Sequence, residues 1–587
     1  MSNSSDAAAT TTPAANAPVK RPHRWAMWLF FGWLAFVAIG QFAVWNDKII
    51  PDTHGQSIPT MVTVSMGIVT VLLLMSWLLF FPPFPRRIPV AVGILLYLLV
   101  VGAFVGSIRE VGYSGDMRPF VHFRWEPTVQ ERLQAYNAEN SSAQGTAAVE
   151  IDWTPSIEDS PDFRGPHRDG VVASPVFSDD WSSTPPQELW RRPCGEGYAP
   201  FAVVGPAAIT IEQRGPSEAI VSYDVDTGRE NWVHEYPARF SETMGGVGPR
   251  AAPVIAGSDV YTIGGMGDMH CVDLSTGKPR WNVNILTANG LEKDGQPLNI
   301  VWAMSSAPLV LGDMVVVNAG GPVGNGLVAY SRADGAVLWK GEGLRDVQIG
   351  PGDINRAGYS SPELVTLGGE DQILIFDGVG LRSCSPATGD QLWFHAFEHG
   401  DSPGRVNVAQ PLVVDWDRVF ISASYTRGCD MLRVGKGEDG KWSVESVWTD
   451  KVKRNMRCKF SSPVLHEGYI YGLDEGFLTC LDVETGERKW KRDRATQYGH
   501  GQMLLTNGRI VLLSEFGDLV LIEPSSEGLK ELARITALPG ERTWNPLALA
   551  RGRAYLRNHQ EAVCLQLPLL PDATETALAP AEAPAQP

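Results

Sequence analysis

Ten residues whose side chains can bind, stack or carry protons recur at one kind of place in the chain: Arg250, Trp302, Arg356, Asn407, Gln410, Lys459, His500, Gln502, Trp544 and Asn545. Each stands at or just ahead of the start of a short apolar run, and Tyr359 shares the position. Cations, amides and aromatic plates converging from many segments build a concave polar site, and this mixture suits anionic or hydroxyl-rich ligands better than cations. The competing reading is that these groups satisfy backbone and water around a central axis. Acid–base catalysis would need a carboxylate within reach of a substrate hydroxyl. Glu212 is the one acidic residue placed for that, and Arg214 beside it reads as an ion-pair partner. No zinc-ligand spacing, nucleophile elbow or EF-hand loop is present in the sequence, so no metal ligands are assigned. The glycines of Ala319-Gly320-Gly321-Pro322-Val323-Gly324-Asn325-Gly326 lead from strand to strand and read as a loop, not a phosphate cradle.

The elements that must position these residues are strands. Phe460–Lys491 is the cleanest unit, with strands over Pro463–Leu465, Tyr469–Leu473, Phe477–Leu481 and Arg488–Lys491 and a Gly in each gap. Gly accepts the positive φ of tight hairpin turns. The last turn, Asp-x-x-Thr-Gly-x-x-x-Trp, appears whole at Asp224–Trp232, Asp273–Trp281 and Asp482–Trp490, with Ser for Asp at Ser385–Trp393, and with Ser for Asp and Asp334 for Thr at Ser331–Trp339. A degenerate outer strand ends at Trp448, and Trp190 precedes the first full unit. Copies recurring about every 50–60 residues signal a repeat architecture.

A second marker gives the count. Ala199-Pro200, Ala252-Pro253, Ala307-Pro308, Ser361-Pro362, Gln410-Pro411, Ser462-Pro463, Gly501-Gln502 and Asn545-Pro546 open eight inner strands. The last has room for only three strands before the tail, while Leu189–Arg191 is a strand without a blade. The chain is therefore expected to form an all-β, eight-bladed propeller of four-stranded antiparallel blades, closed by pairing Leu189–Arg191 with Ala562–Leu567. Trp190, Trp232, Trp281, Trp339, Trp393, Trp448 and Trp490 are expected to dock between blades, and the ten polar residues to crowd one mouth of the channel.

This repeat resembles the tryptophan-docking repeat of quinoprotein-type (PQQ-like) eight-bladed propellers. Quinoprotein alcohol dehydrogenases share it with BamB, the propeller lipoprotein of the outer-membrane barrel assembly machinery. The resemblance covers about 163–568 and is carried further by Phe163-Arg164-Gly165-Pro166, Gly499-His500-Gly501-Gln502 and Thr543-Trp544-Asn545-Pro546, in the manner of bacterial membrane-anchored PQQ-like repeat proteins. It implies the fold; the scaffold serves both enzymes and binding proteins.

Ahead of the propeller, Trp25–Trp45, Ile58–Phe81 and Ile88–Ile108 are apolar and long enough to span hydrocarbon, with Trp25, Trp28 and Trp45 as interfacial anchors. Residues 1–24 read as a disordered cytoplasmic tail, 25–108 as three transmembrane helices (about 25–45, 58–81 and 88–108), 109–162 as an exported stalk or linker, and 569–587 as a Pro/Ala-rich tail. Lys20, Arg21, Arg24, Arg86 and Arg87 place the N-terminus in the cytoplasm and the propeller outside. Within the stalk, Thr128–Ala138 has the pattern of a short amphipathic helix and 140–148 that of a spacer.

A formal net charge of −17 over 587 residues argues against nucleic acid as a partner. Seven cysteines in an exported domain suggest disulfides, yet Cys271, Cys384, Cys480 and Cys564 fall at matching or near-matching places in different blades and read as packed thiols. Cys429 and Cys458 flank one inter-blade crossing and form the one pair placed to bridge.

Two function classes follow. The first is a multi-pass protein of the bacterial inner membrane whose periplasmic disc binds or scaffolds an envelope protein or peptide, without enzymatic activity or cofactor. The second, implied by the resemblance, is a membrane-bound dehydrogenase oxidising alcohols or sugars with PQQ and calcium or magnesium. Against the second, the chain lacks adjacent cysteines of the kind alcohol dehydrogenases stack on the quinone, though glucose dehydrogenases of this type lack them too, and no Glu/Asn/Asp metal set matches. Binding is the favoured reading.

Overall fold

The computed structural model describes residues 24–45, 57–80, 90–140, 156–321, 326–341, 356–397, 406–425, 427–450, 453–490, 496–540 and 542–570. The chain divides into a helical unit and a β-unit. In the first, α1 (Arg24–Trp45), α2 (Ser57–Phe80) and α3 (Val90–Ser107) are predominantly apolar. Trp33 Nε1 donates to Thr70 Oγ1 at 3.0 Å and Thr63 Oγ1 to Gln41 Oε1 at 2.7 Å, joining α1 to α2. The three-span expectation is reduced here. Among the described residues one stretch, Ile58–Met75, is long and apolar enough by length and composition to cross a membrane; Phe31–Gln41 and Tyr97–Ser107 are shorter. Lys20, Arg21, Arg86, Arg87, the 140–148 spacer beyond Asn140, and the tails apart from Arg24, Leu569 and Leu570 lie outside the described residues.

The β-unit is an eight-bladed propeller. Six blades are four-stranded meanders in consecutive order, and the eighth takes its outer strand, Gln187–Pro193, from ahead of the first blade. That strand pairs antiparallel with Glu561–Gln566, Trp190 opposite Cys564, so the ring closes. In the sixth blade the fourth strand expected over Arg488–Lys491 is reduced, among described residues, to a bridge between Leu481 and Arg488.

Inner strands are short, as in Ala202–Val204 and Val254–Ala256, because they crowd the axis. The second and third strands are buried on both faces, Ala207–Arg214 along its whole length, because each blade is covered by its neighbours. Outer strands such as Pro279–Asn284 alternate toward solvent. The repeat turn explains its own sequence. Asp224 Oδ1 accepts from Thr227 N at 2.8 Å and Thr227 Oγ1 at 2.6 Å, and Gly228 turns back at φ +68. The same bonds recur at Asp273 and Thr276, and at Asp482 and Thr485. Gly228 has a second reason to lack a side chain: a Cβ there would lie 2.6 Å from the Trp190 ring.

Trp190, Trp232, Trp281, Trp339 and Trp448 stack in this way on Gly228, Gly277, Gly335, Gly389 and Gly486. Four of the five indoles also donate to a carbonyl in the same turn, as Trp232 Nε1 does to Leu274 O at 2.7 Å. Trp339 Nε1 has no partner among the described residues, and Trp490 donates to Ser525 O at 2.9 Å. Trp393 differs, bonding Gln372 Oε1 within its own blade; the corresponding turn of the fifth blade has no Thr-Gly pair to receive it. Trp190, Trp281 and Trp393 are buried and the others half-buried. All seven cysteines are buried and free, Cys429 and Cys458 included.

The stretch read as linker is structured in part. Strands Ile108–Tyr113 and Pro119–Phe123 form a hairpin. Helix α4 (Val129–Glu139) starts at a capping box between Thr128 and Glu131 and buries Leu133. It packs on the closing strand: Arg192 lies 4.9 Å from the Tyr136 ring and donates to Asn137 Oδ1 at 3.0 Å.

Residues 158–178 make a circuit of the propeller's other end. Backbone bonds join Glu158 to Arg551, Ser160 to Val203, Pro161 to Ile255, and Gly170 and Val172 to Leu505. Between them Arg168 donates to Pro308 O and Pro362 O, both at 2.6 Å, and Arg164 to Pro463 O at 2.8 Å and Met503 O at 3.2 Å. Burial pulls Arg164 down to about 10, and pushes Glu363 well above the usual carboxylate range despite Arg168 and Arg164 nearby.

Candidate ligand-binding site at the channel mouth

The residues entering the inner strands do converge, but in two layers. The outer layer is a rim. Lys459, Phe460, His500 and Trp544 form one side: the Phe460 ring meets His500 edge-on at 5.4 Å and Trp544 at 4.9 Å. Tyr198 lies 5.3 Å from Trp544 and stacks under the Arg250 guanidinium at 5.1 Å. Arg250 donates to Gly245 O at 2.9 Å, and Trp302 meets Tyr359 at 6.1 Å. Burial lowers Arg250 from its ordinary value and raises Tyr359.

The inner layer works as backbone support. Gln410 exchanges two bonds with the Ser361 backbone, at 2.6 and 3.1 Å. Asn407 Nδ2 donates to Asp377 O, Gln502 Nε2 to Phe460 O, and Asn545 Nδ2 to Gly197 O and Ala199 O. These four tie neighbouring blades together and do not present their amides to a ligand. Arg356 lines a small cavity with Asn318, Gly320, Asp377 and Arg382. Glu212 is fully buried, bonded by Arg214, Tyr223 Oη at 3.0 Å and Gly195 N at 2.8 Å. Burial would raise it, but Arg214 and Arg557 outweigh that and hold it below the ordinary range. It is an ion-pair centre, unavailable as a base.

Three participants were not read from the sequence. Arg542 lies 4.5 Å over Trp544 and bonds Tyr198 Oη at 2.9 Å; its place two residues before Trp544 was the available signal. Glu515 accepts from Trp544 Nε1 at 2.9 Å and His500 N at 3.0 Å. The third is the hairpin tip Ser114–Arg118, which enters the mouth. Gly115 O accepts from Lys459 Nζ at 2.6 Å, and Gly115 N donates to Glu515 Oε1 at 2.5 Å. Asp116 meets His500 Nε2 at 3.2 Å and accepts from Gln497 Nε2 at 2.6 Å. Burial would raise Asp116, but His500, with Lys459 and Arg118, holds it below the usual carboxylate value. The tip is spaced for contact: a Cβ on Gly115 would lie 2.1 Å from His500 Cδ2.

Residues 216–492 match the family model described as outer membrane protein assembly factor BamB. The matched stretch lies within the propeller. Among solved structures, the chain is similar to BamB from Moraxella catarrhalis, at 15% identity and a TM-score of 0.43 over 65% of this chain and 100% of that one. It is similar also to quinohemoprotein alcohol dehydrogenase from Comamonas testosteroni, at 12% identity and a TM-score of 0.46 over 76% of this chain and 84% of that one. No curated protein matches.

Proposed function

We propose that the chain is a membrane-anchored, non-enzymatic binding or scaffolding protein of the bacterial cell envelope, with the channel mouth as its recognition face. The apolar helices α1 to α3 are its anchor in the inner membrane, the N-terminus is cytoplasmic and the propeller is exported. The observation that carries the reading is the chemistry of the mouth. Lys459, His500 and Gln497 grip a peptide carbonyl and a carboxylate, on a floor of Phe460 and Trp544, in a protein of net charge −17. Such a local cationic field draws acidic groups despite the overall charge.

A PQQ cofactor suits this arrangement less well. Its carboxylates would pair with Arg250, Lys459 or Arg542, but its ring system needs an open aromatic slot. Here Arg542, Phe460 and Tyr198 lie at 4.5, 4.9 and 5.3 Å from Trp544, and the hairpin tip fills the approach to His500. The carboxylates on the Trp544 side of the mouth are committed, Asp116 to His500 and Gln497 and Glu515 to Trp544, Gly115 and His500. The residues do not fit the group.

The test has two arms. Purified protein incubated with PQQ and calcium or magnesium should reduce no dye with alcohols or sugars. A photo-cross-linker at Trp302 should capture an envelope partner in cells, and Arg250→Ala with Lys459→Ala should weaken that capture at least tenfold. Robust turnover would transfer the case to a quinoprotein dehydrogenase.

A further inference from the structure

The hairpin tip meets the mouth as a ligand would. Its residues come from more than 300 positions away in the chain, since Gly115 is bound by Lys459, Asp116 by His500 and Gln497, and Tyr113 O by Arg542. Gly115 and Asp116 are buried, Asp116 at 2% exposure, at the tip of a two-stranded ribbon whose strands are mostly half-buried. The turn is shaped for this. Ser114 Oγ accepts from Asp116 N at 3.2 Å and Arg118 N at 3.1 Å, and Met117 takes φ +61. One side of the mouth is spent on one Gly-Asp turn: a cation for the carbonyl, a carboxylate for the amide, an imidazole and an amide for the acid.

We propose that the mouth is a receptor for an acidic Gly-Asp turn of a partner polypeptide, and that Ser114–Arg118 occupies it as an internal competitor. This rests on the reading of the mouth as a binding face. A turn from another chain satisfies the same donors, so it exchanges with the tip at little net cost in hydrogen bonds. The tip is held in cis at high effective concentration, so it reduces the apparent affinity for any partner by the fraction of time it is docked. The partner engages fully only when the tip is displaced.

The experiment uses the full chain in detergent micelles and a fluorescent peptide of residues 113–119, Tyr-Ser-Gly-Asp-Met-Arg-Pro, read by anisotropy. Gly115→Ala drives a methyl into the His500 ring and expels the tip without altering the mouth; Asp116→Lys expels it by charge and guards against a folding defect in the first variant. Both should bind the peptide at least tenfold more tightly than the unaltered protein, and adding Lys459→Ala to Gly115→Ala should remove that gain. Equal binding by unaltered protein and both variants would overturn the proposal. So would displacement of the peptide from Gly115→Ala by free aspartate or phosphate as effectively as by unlabelled peptide, which would make the mouth a small-anion site. Absence of peptide binding alongside an intact, Lys459-dependent cross-link at Trp302 would remove this inference and leave the binding-disc reading standing.

Discussion

Replacing Trp281 by Ala removes a buried plate between two blades, and the loss can be worked from its surroundings. The side chain is 9% exposed, packs within 6.0 Å of Tyr261, covers Gly335 and donates to Arg332 O at 2.8 Å. A buried indole removes roughly 200 Å² from water, which at about 25 cal/mol per Å² is about 5 kcal/mol as an upper bound. Truncation of such residues costs about 3–5 kcal/mol, so about 4 kcal/mol is expected here. Trp281→Phe keeps most of the plate and loses the bond to Arg332, for about 1–2 kcal/mol. Trp490→Ala should fall below Trp281→Ala, because Trp490 is only half-buried. Urea unfolding of the micelle-bound protein, followed by far-ultraviolet circular dichroism, measures all three. A cost under about 1 kcal/mol for Trp281→Ala, or a Phe variant as weak as the Ala variant, would refute the assignment of the stability to buried ring area.

Burial raises Glu218 from 4.5 to about 7, where it accepts from Tyr236 Oη and Gly265 N. The folded state therefore holds its proton more tightly, so stability is highest below the unfolded value and falls as pH rises from about 4.5 to 7. Glu218→Gln should flatten that fall and add about 3 kcal/mol at pH 8, read from urea midpoints across the range. Asp116 behaves with the opposite sign. Its depressed value, set by burial against His500, Lys459 and Arg118, makes tip docking a contribution present above the ordinary carboxylate range and lost as pH falls below about 4. Hydrogen exchange at the Gly115 amide, which donates to Glu515 in the docked tip, should lose protection there relative to its intrinsic rate, and Asp116→Asn should show the loss already at pH 7. Deleting residues 187–193 should lower the cooperative midpoint of the whole disc, not free one end, because it opens the pairing of Trp190 with Cys564. Alkaline phosphatase fused after Ile108 should be active and after Phe81 inactive; the reverse would invert the topology.

The blade pattern was readable because each mark does a local job. Asp224 closes its own turn, Gly228 lies under a ring, and Ala307-Pro308 opens a strand, so spacing alone counts the ring. The mouth was only half readable. Register places Lys459, His500 and Trp544 at the axis, but not the direction in which a side chain points. Asn407, Gln410, Gln502 and Asn545 share the register and turn inward to backbone carbonyls. The hairpin was invisible because its partners are hundreds of residues away and its own signal, a polar turn between two short strands, is what a linker also shows. Trp393 marks another limit: its sequence matches the repeat, and its docking depends on a turn in the next blade that the fifth blade lacks.

The circuit of residues 158–178 touches the first, second, third, fourth, sixth, seventh and eighth blades. Its two guanidinium groups reach fixed carbonyls, Arg168 those of Pro308 and Pro362, Arg164 those of Pro463 and Met503, across a span set by only a few residues of backbone. A ring with one blade more or fewer would carry those carbonyls to other radii and angles, leaving Arg168 with Asp162 and Arg164 with Asp169 O but without their inter-blade acceptors. The segment thus acts as a gauge of blade number. It also precedes every blade in the chain, so during synthesis the gauge exists before the ring it measures.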